Sequence, residues 1–232
     1  MSTAPSFQDI LQQCRAMDAS LGERLTAFAT EVRRWRPSFA EAVDRLVSRL
    51  QRSGAGQHAP KPGDAMPPFL LPDEKGRLVG LDDLLREGPV ALTFNRGHWC
   101  PYCRINVEAL SMAQREIARA GGRVVAVVPE RQRFASAFKS DTHADFPILI
   151  DMDNGYAMSL GLAFWVDDEM KKEMLGAGYD LAAFQGSDSW LLPIPATFVI
   201  GRDGKIAARF IDPDYRKRMA VEDLLAALRE NH

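Results

Sequence analysis

Between residues 38 and 51 the apolar positions Phe39, Val43, Leu46, Val47 and Leu50 recur at spacings of three and four. That spacing places them on one face of a helix. Pro37 stands before Ser38, and Glu41 follows three residues later, so Ser38 reads as the capping residue. An earlier helical stretch runs from about residue 6 to residue 35, with a break near 20–22. Short helices bury little by themselves, so their apolar stripes need a covering surface. That surface is either the rest of the chain or a second copy, and a homodimer is expected on this ground. The segment SGAGQHAPKPGD, Ser53 to Asp64, is rich in Gly, Pro and small residues and marks a boundary. The chain therefore divides into an N-terminal helical arm (1–52), a linker (53–61) and a main domain (62–232).

The pattern then changes. PFLLP and RLVGL flank DEKG, as in a hairpin. PVALTF (89–94) is a short apolar run of the kind a buried strand shows, and a helix from Pro101 to about Ala120 follows it, closed by Gly121-Gly122. RVVAVV (123–128) reads as a strand, RQRFASAFKSD as a helix, FPILID (146–151) as a strand and DNGYAMSL as a helix. From Ala163 to Leu192 only a short helix at Asp167–Leu175 is legible. ATFVI (196–200), a GRDG turn and KIAARFI (205–211) form a second hairpin, and a last helix spans Arg216–Glu230. Alternating strands and helices followed by a hairpin and a helix predict an α/β fold with a mixed sheet.

Composition narrows the function. Of 232 residues, 46% are apolar and 26% charged, which suits a packed domain with no disordered tract. The net charge of −2 provides no basic field for nucleic acid. No apolar run approaches the length of a membrane span. The first residues lack the basic head and apolar core of a secretion signal, so a cytoplasmic location is expected. Three cysteines are too few for a disulfide framework, and in a reducing compartment a close pair points to catalysis or metal binding.

Two of the three lie in TFNRGHWCPYCRINVEAL, Thr93 to Leu110, after a buried strand and at the start of a helix. Pro101 fits the first helical position, where a missing N–H costs nothing. Free N–H groups and the positive end of the helix dipole then favour the thiolate of Cys100. Cys103, one turn on, can attack a bond formed at Cys100 or be attacked in turn, which suits thiol–disulfide exchange. The dipole makes Cys100 the expected attacking thiolate. Zinc would need four ligands, whereas there is no second Cys pair and His58, His98, His143 and His232 show no ligand spacing. No metal and no cofactor is therefore expected. Cys14 reads as a small core residue, and Trp99 as a core aromatic or a flat wall beside the site. Thr93 and Asn95 are the polar residues of the strand leading to Arg96; that strand contains no acid, so no proton acceptor is identified.

WCPYC at 99–103 resembles the thioredoxin-fold active site, with the dipeptide of glutaredoxins. IPATFVIGRDGKI (194–206) resembles that fold's second landmark, in which Pro195 would be a cis proline facing the cysteines. KPGDAMPPFLLPDEKGRLVGLDDLL and FPILIDMDNGYAMSLGL extend the likeness to the alkyl hydroperoxide reductase and thiol-specific antioxidant branch, the peroxiredoxins, over roughly residues 61–230. The implied fold is thioredoxin-like. The implied site is the Cys100/Cys103 pair, walled by Trp99, Pro101, Tyr102, Pro195 and Trp190, with charge support from Arg96 or Arg104.

Peroxiredoxins carry Pro, Thr and Cys in order at the site and an Arg on a later strand. Here Arg96 holds the Pro place, Cys100 the Thr place and Cys103 the peroxidatic Cys place, while Pro195 falls where the Arg would be. On peroxiredoxin logic Cys103 is oxidised and Cys100 condenses with it. Three functions follow from these readings. The first is a peroxidase for hydrogen peroxide or organic hydroperoxides, recycled by a cellular dithiol of the thioredoxin or glutathione type. The second is a disulfide reductase, and the third a non-enzymatic redox sensor.

Overall fold

The computed structural model describes residues 6–231. Three helices open the chain: α1 (Phe7–Arg15), α2 (Leu21–Trp35) and α3 (Pro37–Arg52). Ser6 and Ser20 each accept a hydrogen bond from the third residue of their helix, whose carboxylate reaches back to the cap N–H. The third helix starts two residues earlier than a Ser38 cap would place it. Arg36 caps it and Pro37 takes the first position, so Ser38 is no cap.

The domain proper continues with β1 (Leu70–Pro72), β2 (Leu78–Gly80), α4 (Leu81–Glu87), β3 (Val90–Phe94), α5 (Pro101–Met112), α6 (Gln114–Arg119) and β4 (Arg123–Val128). Then come α7 (Gln132–Asp141), β5 (Ile148–Ile150), α8 (Gly155–Ser159), β6 (Ala163–Trp165), α9 (Asp168–Gly176), α10 (Leu181–Gln185), β7 (Leu191–Pro193), β8 (Ala196–Ile200), β9 (Ile206–Ile211) and α11 (Val221–Glu230). The five-stranded sheet has the order β5-β4-β3-β8-β9, with β3, β4 and β5 parallel and β8 and β9 antiparallel to their neighbours. This is the mixed sheet that the strand–helix alternation predicts. The helix expected over 101–120 is split at Ala113 into two, and the last helix begins at Val221 rather than Arg216.

Side-chain alternation along the strands builds two cores. Val90, Leu92, Phe94, Val125 and Val127 face one side, with Phe69 and Leu84. Ala91, Val124, Ala126 and Val128 face the other, towards α5, α11 and the arm. Leu11, Cys14, Leu25, Phe28, Val43 and Leu46 of the arm belong to this second core. The arm's stripes are thus covered within the same chain, and the packing argument for a homodimer lapses.

Polar contacts also fix the arm. Arg15 and Arg24, both nearly inaccessible, close on Glu108 of α5 at 2.8 and 3.0 Å, and Arg15 also reaches Asp141 at 3.2 Å.

Candidate active site

Strand β3 delivers the chain to the site. It is buried at every residue, and Asn95 extends its parallel ladder by donating to the Val127 carbonyl at 2.8 Å. The next six residues turn sharply. Gly97 sits at φ +133°, a conformation that glycine adopts without strain, and a Cβ there would lie 2.4 Å from the Glu130 carboxyl carbon. The turn ends at Cys100, whose extended backbone caps α5, with Pro101 at the first helical position.

The two sulfurs occupy different environments. Both residues are buried, Cys100 1% exposed and Cys103 not at all. The backbone N–H groups of Cys103 and Arg104 close the first turn of α5 on the Cys100 carbonyl at 3.1 Å, and among the described residues no backbone N–H donates to the Cys100 sulfur. Burial without a backbone donor, together with the hydrogen bond to Cys103 and its charge, pushes the Cys100 thiol well above the ordinary thiol range. Cys103 Sγ instead accepts the backbone N–H of Arg96 at 3.3 Å and a guanidinium N–H of Arg218 at 3.4 Å. Burial opposes ionisation of Cys103, but the hydrogen bond from Cys100, the Arg218 and Arg96 charges and the Arg96 N–H outweigh it. The thiolate that the helix start was expected to favour at Cys100 is therefore favoured at Cys103, because the donors converge there.

Arg96 is 3% exposed and lies between two aromatic faces, 4.8 Å from the Trp99 centroid and 3.8 Å from that of Tyr215. Its Nε and Nη1 have no partner among the described residues. Arg104 is spent elsewhere: its Nε and Nη2 bond to Asp141 at 2.7 and 3.0 Å, so it ties α5 to α7 and does not serve the sulfurs.

Trp99, Pro101 and Tyr102 line an apolar cavity of about 140 Å³ that Cys100 also borders. Pro195 and Trp190 are not among its lining residues. Every peptide bond among the described residues is trans, that before Pro195 included, which corrects the expected cis proline. Only Ile194 and Pro195 separate β7 from β8, and neither residue lies in a turn of the kind that a cis proline typically serves. Trp190 is a buried core residue with the Lys171 ammonium 4.7 Å from its ring centroid. Thr93 and Asn95 are absorbed in their own contacts, Thr93 Oγ1 with that of Thr197 at 3.4 Å and Asn95 with Asn106 at 3.4 Å. Cys14 is a core residue, as its place in the arm implies.

Two residues escape the sequence reading altogether. Arg218 lies in the irregular segment after β9, where Nη1 is held by the backbone carbonyls of Tyr215 and Lys217. Glu130, beyond the end of β4, is fully buried. Its Oε2 accepts the His98 N–H at 2.7 Å, and its Oε1 has no partner among the described residues. Desolvation pushes this carboxyl up to about 8 against the pull of the His98 and Trp99 N–H groups, and the Cys103 charge adds to the rise. Among the described residues no three His, Cys, Asp or Glu side chains converge as metal ligands would.

The AhpC/TSA family model matches residues 62–209. The thiol-disulfide oxidoreductase ResA of Bacillus subtilis is 27% identical over 153 residues, 66% of this chain and 68% of ResA. MT1643, named as a candidate peroxiredoxin of Mycobacterium tuberculosis, is 26% identical over 170 residues, 73% of this chain and 96% of that protein. Among solved structures, peroxidoxin BcpB of Mycobacterium tuberculosis superposes with a TM-score of 0.59 at 24% identity, covering 75% of this chain and 99% of its own. The likeness to that structure is one of fold.

Proposed function

The chain belongs to the AhpC/TSA family of thiol oxidoreductases, and from that premise we propose that it is a thiol-dependent peroxidase. Cys103 is the sulfur that hydrogen peroxide or an organic hydroperoxide oxidises, and Cys100 is the one that resolves the product. The observation that carries this reading is the pair of donors on Cys103 Sγ, the Arg96 N–H at 3.3 Å and the Arg218 guanidinium at 3.4 Å. They stabilise a nucleophilic thiolate at a fully buried position, which is closed to the disulfide of a folded protein.

The steps balance as follows. The Cys103 thiolate attacks one peroxide oxygen, the O–O bond breaks, and an alkoxide or hydroxide leaves and takes a proton. Glu130, whose carboxyl is raised to about 8 by burial and in part by the Cys103 charge, is the acid assigned to supply that proton. Cys103 is then a sulfenic acid. The Cys100 sulfur attacks it, the S–O bond breaks, and water leaves with the formation of a Cys100–Cys103 disulfide. A cellular dithiol of the thioredoxin or glutathione type restores both thiols, itself becoming a disulfide.

A second reading, a thiol-disulfide reductase, draws on the Cys-Pro-Tyr-Cys sequence and the likeness to ResA. One experiment separates the two. Reduced protein is mixed with one equivalent of peroxide, and thiol loss is followed by mass spectrometry in the wild type, Cys100→Ser and Cys103→Ser. The peroxidase reading expects oxidation orders of magnitude faster than a free thiol, retained as a sulfenic acid in Cys100→Ser and lost in Cys103→Ser. Oxidation at the free-thiol rate with fast exchange against an added disulfide would favour the reductase.

A further inference from the structure

The two sulfurs differ in what they face. Cys100 borders the apolar cavity, and Cys103 does not. The cavity is a joint product of the domain and the arm: Phe28, Val32 and Phe39 of α2 and α3 line it together with Trp99 and Tyr102. Its volume, about 140 Å³, is close to that of an engineered protein cavity that takes up benzene, roughly 150 Å³. One ring or a short branched chain fits; a folded polypeptide does not. The buried Arg96, with two unpartnered nitrogens, lines the inside, and the exposed Arg36 stands at the junction of α2 and α3. Both favour an anion approaching Cys100. With Cys100 only 1% exposed beneath the arm, a protein dithiol laid on the surface cannot bring its sulfur into line with a bond at Cys100.

We propose that the Cys100–Cys103 disulfide is reduced by a small thiol with an apolar body, which enters the arm-walled cavity as its thiolate and attacks Cys100 Sγ. This narrows the electron donor of the preceding reading and rests on its disulfide, not on the oxidant that forms it. Attack at Cys100 breaks the S–S bond and expels Cys103 as the thiolate, which its two donors already stabilise. A mixed disulfide remains on Cys100. A second thiolate attacks the small-molecule sulfur of that bond, releasing a symmetrical disulfide and Cys100, which takes a proton. Two thiols are oxidised and one protein disulfide is reduced.

The test uses the full chain, oxidised with diamide so that disulfide formation does not depend on peroxide. Its reduction is timed with benzyl mercaptan, with 2-mercaptoethanol, and with a reduced thioredoxin as the protein dithiol. At equal thiolate concentration the apolar thiol is expected to react at least tenfold faster than 2-mercaptoethanol, and thioredoxin no faster than background. Val32→Trp, which fills the cavity, should erase the tenfold preference; Phe39→Ala, which widens it, should keep benzyl mercaptan reactive and admit a bulkier aryl thiol. Acid quenching should catch the benzyl adduct on Cys100. Equal rates for the two small thiols, fastest reduction by thioredoxin, or an adduct on Cys103 would overturn the proposal. The comparison of thiols on the wild type stands without either variant. A protein inert to peroxide that still shows the thiol preference would sink the peroxidase reading alone.

Discussion

Arg218 lies 115 residues beyond Cys103 in the chain, yet it brings a guanidinium nitrogen to 3.4 Å from the Cys103 sulfur. No Arg occupies the later-strand position at which the peroxiredoxins place theirs, because Pro195 stands there. A residue from the segment before the last helix brings positive charge to the sulfur instead. The charge is held in place by backbone carbonyls, so it is pre-organised and not recruited.

Removing that charge should therefore be felt at the sulfur. Arg218→Met is expected to raise the Cys103 pKa by roughly 1–3 units, the range for loss of an opposite charge at this distance. The ultraviolet absorbance of the thiolate against pH reads this directly. The rate of peroxide oxidation at neutral pH should fall in step with the thiolate fraction.

Glu130 should leave a signature in stability. Its folded pKa of about 8 lies above that of an exposed glutamate, so the unfolded chain gives up this proton first as pH rises. The group's contribution is therefore complete below the unfolded value, about 4.3. It is lost as pH rises towards 8, with a slope of up to about 1.4 kcal/mol per pH unit. Glu130→Gln should flatten urea midpoints measured between pH 5 and 8, as working values on this scale, and make the variant the more stable protein at the alkaline end.

The clamp on the arm gives a third expectation. Glu108→Ala leaves Arg24 without a carboxylate and Arg15 with Asp141 alone, at nearly inaccessible positions. Breaking a buried pair by removing one partner costs about 3–5 kcal/mol. Partial exposure of Glu108 puts the loss near the lower end, about 3 kcal/mol by urea unfolding. Because α2 also covers the Cys100 cavity, alkylation of Cys100 should quicken in the same variant.

Much of this fold is legible in residue patterns, and the reasons differ from part to part. The mostly apolar runs at 90–94 and 123–128, broken only by Thr93 and Arg123, announce central strands because both of their faces are buried. The start of α5 is legible because Pro101 fits only a first helical position there. The strands β6 and β7, three residues each, are too short to show alternation, and α10 is barely more than one turn. At the site, spacing finds the two cysteines but not their unequal environments. Arg218 falls where the sequence pattern already starts the last helix, which in fact begins at Val221, and its approach to Cys103 is purely tertiary. Glu130 follows Pro129 beyond the end of β4, and only the structure, through its burial and its bond from the His98 N–H, shows that the carboxyl is folded inward. The helix start alone misplaces the thiolate, because no backbone N–H among the described residues reaches the Cys100 sulfur, whereas Cys103 Sγ accepts one from Arg96.

The central claim is that Cys103, not Cys100, is the ionised sulfur of the reduced protein. The direct measurement is the pH dependence of iodoacetamide labelling at each cysteine, resolved by peptide mass spectrometry at a reagent level that modifies a small fraction of the chain. Labelling of Cys103 should reach half its plateau at a pH below that of an ordinary thiol, with Cys100 following only in strongly alkaline solution. A Cys100 that titrates first, with Cys103 silent across the same range, would contradict the account.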